Sequence, residues 1–211
     1  MIHKYKHISF DLDGTLVSTH PEYRQRVIRY VVGKLGGTIK DPAHIEKFWF
    51  GSNRSELISK EFNLDPNKFW TLFREVDKIE ERAASTEAFE DVVKSIKKLN
   101  ELDKIVSIIT GAPKNIAEME IKKINDCHFD YQYSIEFEKF GEKPNPESLN
   151  FVLKELNLLA KDTVYIGNSI EDAMYAKNAG VDFIHIERNE HPYDLREHAV
   201  EVINSLEELF R

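Results

Sequence analysis

The chain has a single cysteine, Cys127, in 211 residues. No internal disulfide can therefore form, and the fold has to be held by burial and hydrogen bonding. Long apolar runs are also missing. Nothing approaches the ~18 consecutive apolar residues that read as a membrane-spanning helix, so no membrane partner is expected. The first residues, Met1 to His7, are polar and basic with no apolar segment behind them, which is not the pattern of a secretory leader. Cytoplasm is the expected location. Basic charge is scarce as well: 29 Lys and Arg stand against 37 Asp and Glu, for a formal net charge of −8 and a pI near 5.5. A phosphate-backbone footprint needs clustered cations, so nucleic acid is set aside as a partner. No low-complexity tract, like-charge block or internal repeat is present, which excludes a disordered chain.

What is present is an ordinary globular composition, 41% hydrophobic and 31% charged, in a chain long enough for one substantial domain or for a domain carrying an insert. Short β-branched runs at Ile8 to Phe10, Ile105 to Ile109, Val164 to Ile166 and Phe183 to Ile186 alternate with helix-period segments. That alternation predicts an α/β fold with a parallel sheet and crossover helices. Phe89, Val92, Val93, Ile96 and Leu99 form one apolar stripe and Leu149, Val152, Leu153 and Leu156 another, each able to cover a face of the sheet.

From about His20 to Ala84 the alternation stops and consecutive helices are expected. Val27, Val31 and Leu35 recur at helical spacing before Gly36-Gly37; Asp41-Pro42 starts a second helix, Ser52 or Asn53 caps a third, and Asp65-Pro66 starts a fourth. These are recognised start and stop signals. The aromatic clusters Phe48-Trp49-Phe50 and Phe69-Trp70 with Phe73 are read as core of this insert.

Four segments carry chemistry. In HISFDLDGTL, an apolar strand delivers Asp11 and Asp13 at its carboxyl end, where open α/β sheets place their ligands. After the strand Ile105 to Ile109 comes Thr110-Gly111-Ala112-Pro113, with Pro113 suited to a first helical turn and with amides and a hydroxyl facing an anion. In Gly141-Glu142-Lys143-Pro144-Asn145-Pro146 the prolines stiffen the segment around one ammonium, able to neutralise a carboxylate and a phosphoryl oxygen together, before a helix starting near Pro146 or Glu147. Finally, Gly167-Asn168-Ser169-Ile170-Glu171-Asp172 places oxygen ligands at another strand end, and oxygen-only ligation suits magnesium. Taken singly, Thr110 could be a helix cap, Lys143 a surface charge and Asp172 a first-turn residue; the order of all four, each at or just after a strand end, argues for one site.

With DLDGT, SIITGA, GEKPNP and GNSIED in this order, the chain resembles the haloacid dehalogenase-like superfamily on its phosphatase side. The resemblance covers nearly the whole sequence. It implies a Rossmann-like core, residues 1–17 and 87–211, with helices on both faces and an inserted helical cap, residues 18–86, as in phosphoglycolate phosphatase-like and phosphoglucomutase-like members. It also implies a Mg2+-dependent phosphatase acting on a small phosphorylated metabolite, as a monomer or homodimer. Asp11 would be the nucleophile and Asp13 the acid and base. Thr110, Gly111 and Lys143 would hold the phosphoryl group, with Asp11, Asp13, Asn168 and Asp172 around the metal and Arg54 reaching substrate from the cap.

One position departs from that pattern: Asn168 stands where the family usually has a metal-ligating aspartate. An amide removes one negative charge but keeps a carbonyl oxygen, so weakened coordination, or a binding protein without turnover, is the alternative. Asp13 disfavours carbon–halogen cleavage, since dehalogenases of this superfamily typically lack it. A sugar-phosphate mutase shares the core; Tyr23 occupies the place where such mutases tend to carry a histidine.

Overall fold

The computed structural model describes residues 2–51, 53–135, 137–189 and 194–211. The chain begins with strand β1 (His7–Phe10) and a short β2 (Val17–Thr19), then runs through helices α1 (Pro21–Lys34), α2 (Ala43–Phe50), α3 (Arg54–Glu61), α4 (Pro66–Val76) and α5 (Ile79–Ala84) to β3 (Thr86–Ala88). It continues as α6 (Val92–Glu101), β4 (Ile105–Thr110), α7 (Lys114–Ile121), β5 (Tyr131–Ser134), α8 (Phe137–Phe140) and α9 (Glu147–Glu155). The last elements are β6 (Thr163–Gly167), α10 (Ile170–Asn178), β7 (Asp182–Ile186) and β8 (Glu201–Ile203). Two compact units result: Met1–Ser18 with Ala88–Arg211, and Thr19–Glu87. β2 and β3 pair as the ribbon by which the chain leaves and re-enters the first unit.

The first unit is built on a six-stranded sheet in the order β5-β4-β1-β6-β7-β8, with every pairing parallel. Parallel neighbours need crossovers, and helices supply them except between β7 and β8, where the described residues form no helix. The strand order reverses beside β1. The chain runs outward from β1 through β4 to β5 and then returns to lay β6, β7 and β8 on the other side. Ligands of such sheets bind at the carboxyl ends of the strands at this reversal, which is where β1 releases Asp11.

Side-chain alternation sorts the sheet into two faces. Ile8, Phe10, Val106, Ile108, Val164, Ile166, Ile184 and Ile186 pack with Val92, Ile96 and Leu99 of α6 on one side. Ile109, Tyr165 and Phe183 meet Leu149, Val152 and Leu153 of α9 and Ala173, Tyr175 and Ala176 of α10 on the other. β1 gives its apolar residues to the first face only. On its second face His7 and Ser9 are fully buried, and burial is tolerated because each has a partner. The His7 ring nitrogens lie 3.2 Å from Thr163 Oγ1 and 2.7 Å from Ser107 Oγ, and Ser107 Oγ donates to Ser9 Oγ at 2.9 Å.

Among its described residues the second unit contains only helices between its ribbon strands, and its own core gathers Val27, Ile28, Val31, Phe48, Trp49, Phe62, Phe69 and Phe73. Asp65 caps α4 by accepting the Lys68 amide at 3.0 Å, while Pro66 fills the first helical position. Asn53 flanks α3 in a left-handed conformation without a side-chain cap bond; Ser52, the other cap expected there, lies outside the described residues. The sequence reading missed β2, β3, α5, β5, α8 and β8. No described helix is long and apolar enough to cross a membrane.

Candidate active site

The motif after β1 is a tight loop. The Leu12 carbonyl accepts the amides of Thr15, Leu16 and Val17 at 3.2, 2.8 and 3.1 Å, and the Gly14 amide donates to the Val17 carbonyl at 2.7 Å. Gly14 takes φ +81°, a conformation open to glycine at no steric cost. The strand's alternation continues past its end, so Asp11 follows His7 and Ser9 onto the polar face; it is buried, while Asp13 is half-buried.

Lys143 organises the site. Its Nζ donates to Asp11 Oδ1 at 2.7 Å, to Asp172 Oδ1 at 2.8 Å and to the Tyr165 hydroxyl at 2.7 Å. The Tyr165 hydroxyl in turn donates to the Ile109 carbonyl at 2.7 Å. The rings of Tyr165 and Tyr175 flank the ammonium at 5.1 and 5.5 Å, a cation–π arrangement, and the Tyr175 hydroxyl is 2.6 Å from Ser148 Oγ. An ammonium has three donors, and all three are engaged by the protein. A phosphoryl oxygen accepting from Lys143, as expected from the sequence, would share or displace one of these partners.

Asp172 is equally occupied. Its Oδ2 accepts the amides of Asn168 and Ser169 at 3.2 and 3.1 Å and the Ser169 hydroxyl at 2.7 Å, while Ser169 Oγ accepts the Asp172 amide. This is a capping box at the start of α10, which satisfies amides otherwise left open at a helix start. Asp172, expected among the metal ligands, thus has protein donors on both oxygens and acts as the seat for Lys143. The close approach requires Gly167, where an added Cβ would lie 2.6 Å from Asp172 side-chain atoms.

Two carboxylates on one ammonium leave net negative charge in a buried place. Burial pushes the Asp11 carboxyl up to about 7, opposed by Lys143 and reinforced by Asp172. Burial alone would strip the Lys143 proton, but Asp11 and Asp172 hold its pKa well above the usual lysine range. A further cation beside Asp11 would favour its ionised form. The Asp11 carboxylate and the Asn168 amide are hard oxygen donors at these strand ends. Asn168 is buried, its Oδ1 lies 3.4 Å from Thr15 Oγ1, and its Nδ2 has no hydrogen-bond partner. Turned by 180°, the amide gives Thr15 a donor and leaves an oxygen free for a cation. This donor set fits magnesium, although among the described residues no group of three or more His, Cys, Asp or Glu side chains is arranged to hold a metal.

Thr110 is buried at the end of β4, and its Oγ1 accepts the Ala112 amide at 3.1 Å. One amide expected to face an anion is therefore turned inward, leaving the Thr110 hydroxyl proton as donor. Around a Cβ placed on Gly111 there is nothing within 4 Å. α7 starts at Lys114, with Pro113 flanking it in an extended conformation instead of forming its first turn. Arg54 belongs to the helical unit, where Nε donates to the Gly51 carbonyl at 3.2 Å and Nη2 to the Trp49 carbonyl at 2.9 Å. Closing the carboxyl end of α2 accounts for these contacts, and its expected reach toward substrate finds no support within that unit. Tyr23, in the same unit, donates to Asp77 Oδ1 at 2.7 Å.

The profile of the family described as haloacid dehalogenase-like hydrolase matches residues 8–186. The chain belongs to this family. Among curated members, the phosphoglycolate phosphatase 1 of Pseudomonas aeruginosa is 26% identical over 187 residues, covering 82% of this chain and 66% of that protein. The N-acetylmuramic acid 6-phosphate phosphatase of Pseudomonas putida is 23% identical over 210 residues, covering 90% of this chain and 93% of that one. A solved haloacid dehalogenase-like family protein from Streptococcus pneumoniae superposes with a TM-score of 0.84 at 18% identity, over 98% of this chain and 97% of its own. The shared haloacid dehalogenase-like fold is thus plain at low identity. Sequence reasoning missed Tyr165, Tyr175 and Ser148 around the lysine. The Ser169-x-x-Asp172 spacing was a readable signal for the capping box.

Proposed function

We propose that this chain is a magnesium-dependent phosphatase that hydrolyses a small phosphorylated metabolite through an aspartyl-phosphate on Asp11. The observation that carries the reading is the buried bridge of Lys143 between Asp11 and Asp172 at the carboxyl end of β1. An ammonium at 2.7 Å favours the charged form of a carboxylate that burial alone would neutralise, and a nucleophile must be charged to attack.

Asp11 attacks phosphorus and forms an acyl phosphate as the ester P–O bond breaks, dividing one hard displacement into two easier ones. Asp13 gives its proton to the leaving alkoxide and then takes one from the water that releases inorganic phosphate and regenerates the Asp11 carboxylate. The Thr110 hydroxyl and the backbone at Gly111 hold phosphoryl oxygens. Lys143 maintains the charge and aim of Asp11, and Asp172 holds Lys143. Asp11, the Asp13 carbonyl and Asn168 would hold magnesium, which supplies positive charge against the repulsion between an anionic nucleophile and an anionic phosphate. The helical unit serves as the cap that excludes water.

The names of the relatives suggest the substrates to try first: phosphoglycolate, then N-acetylmuramic acid 6-phosphate, beside a generic aryl phosphate. Phosphate release by wild type that needs magnesium and vanishes in Asp11→Asn supports the proposal. Asn168 favours a second reading, a binding protein of this fold without turnover. No release on any substrate by wild type, with release appearing in Asn168→Asp, would select that reading.

A further inference from the structure

The loop that carries Asp11 and Asp13 is braced from outside by a residue that no motif includes. Arg188 lies just past the end of β7. Its Nε and Nη2 both donate to the Thr15 carbonyl, at 3.2 and 3.0 Å, and its Nη1 donates to Asp91 Oδ2 at 2.9 Å. The guanidinium stacks on Phe89, 4.1 Å from the ring centroid. Only 7% of the Arg188 side chain and 12% of Asp91 is exposed, so the pair is shielded from screening in a way that surface pairs are not. Asp91 Oδ2 is fixed in turn by the Leu206 amide at 2.7 Å.

The Thr15 carbonyl is the point of interest. The loop's internal hydrogen bonds converge on Leu12 and Val17 carbonyls, and the Phe89 amide takes the Leu16 carbonyl at 3.1 Å. The Thr15 carbonyl is met by Arg188. Thr15 also aims its hydroxyl at Asn168 Oδ1, 3.4 Å away. One planar fork therefore sets the peptide whose side chain touches a proposed metal ligand, and it does so from the two backbone passages, at Thr15 and at Phe89 to Asp91, that lead out of and back into this unit. A lysine has no fixed fork and cannot reproduce the double donation, the stacking and the ion pair together.

We propose that Arg188 is a positioning residue for the nucleophile loop: it holds Thr15, and through it the Asp11–Asp13 turn and the Asn168 amide, in register for the reaction. The role rests on the phosphatase reading, since Arg188 touches no reacting atom. Misplacement of a reacting group by a fraction of an ångström lowers turnover without weakening ground-state binding.

The test compares wild type, Arg188→Ala and Arg188→Lys by steady-state kinetics on the best substrate and by amide hydrogen exchange over residues 12–17. The expected result is a kcat lowered by about ten- to a hundredfold with KM within about twofold, exchange in this segment faster by about tenfold or more, and partial recovery of kcat in Arg188→Ala with millimolar guanidinium. Wild-type kcat per folded molecule in both variants, with only a lower Tm, would overturn the proposal and leave a purely structural ion pair. If Arg188→Ala does not fold, Arg188→Lys decides: wild-type kcat and exchange in it refute the positioning role. If wild type itself releases no phosphate, the phosphatase reading fails separately, and the exchange comparison alone decides whether Arg188 holds the loop.

Discussion

Tyr165 holds Lys143 by its hydroxyl, which accepts from the ammonium at 2.7 Å and donates to the Ile109 carbonyl at 2.7 Å. The ammonium at the centre of the site therefore depends on a residue from the middle of β6, whose ring lies in the core beneath α9 and α10.

Replacing Tyr165 with Phe keeps the ring and removes this link. It leaves the buried Ile109 carbonyl without its donor and the ammonium with one partner fewer. An unsatisfied buried group costs roughly 1–3 kcal/mol, so the midpoint of urea unfolding should fall with an unchanged slope. An unmoved midpoint would mean that water replaces the hydroxyl.

At Gly167 a methyl group would stand 2.6 Å from Asp172 Cβ, Cγ and Oδ2. Gly167→Ala should push Asp172 away from Lys143 and from the start of α10, at an expected cost of about 1–3 kcal/mol for overpacking. Lost activity at a nearly normal Tm would show that the carboxylate moved without the helix melting; wild-type values of both would show that the loop shifts freely.

His7 makes stability depend on pH. Burial lowers its pKa to about 4 from the ordinary 6.5, so the unfolded chain takes up a proton over a range in which the folded chain does not. Stability from this group is complete above about pH 6.5 and is lost as the pH falls through about 4, a total of about 3 kcal/mol by linkage. Urea unfolding between pH 7.5 and 4.5 should show the decline, and His7→Gln should flatten it. An equal slope in the variant would assign the loss to carboxylates.

Asn168→Asp places a carboxylate where the family resemblance expects a metal-ligating aspartate. Isothermal titration should show magnesium binding at least about tenfold tighter than in wild type, since ligand charge sets affinity at such sites. Equal affinity in both proteins would mean that the Asn168 side chain does not reach the ion.

Much of this architecture is legible in the sequence because the core strands are β-branched and each ends in a polar motif. Ile105 to Ile109 and Val164 to Ile166 announce themselves by composition. β5 does not: Tyr131-Gln-Tyr-Ser134 has no β-branched residue, lies at the sheet edge and becomes a strand by pairing with β4. β8 has three residues, too few for any period. At the site, the motif residues stand out by type and place, whereas their supports do not. Tyr165 reads as an ordinary core aromatic, and Arg188 as one more surface charge, until the fold brings Thr15 and Asp91 to it across 173 and 97 positions. The engaged donors of Lys143 are likewise a fact of three-dimensional convergence, invisible in GEKPNP.

The two polar residues at the end of β6 differ in what they can become. At 168 an amide is accommodated because one end of it meets a hydroxyl, which can give or take a proton, and the other end has no protein partner. At 172 every neighbour is a donor: an ammonium on one oxygen, two amides and a hydroxyl on the other. Of these only the Ser169 hydroxyl could reverse its role, so an amide there would set its NH2 against the ammonium or against two backbone N–H groups, whichever way it turned. The exchange of acid for amide that this chain carries at one position is thus closed to it four residues later, where the same carboxylate both starts a helix and seats the site's lysine.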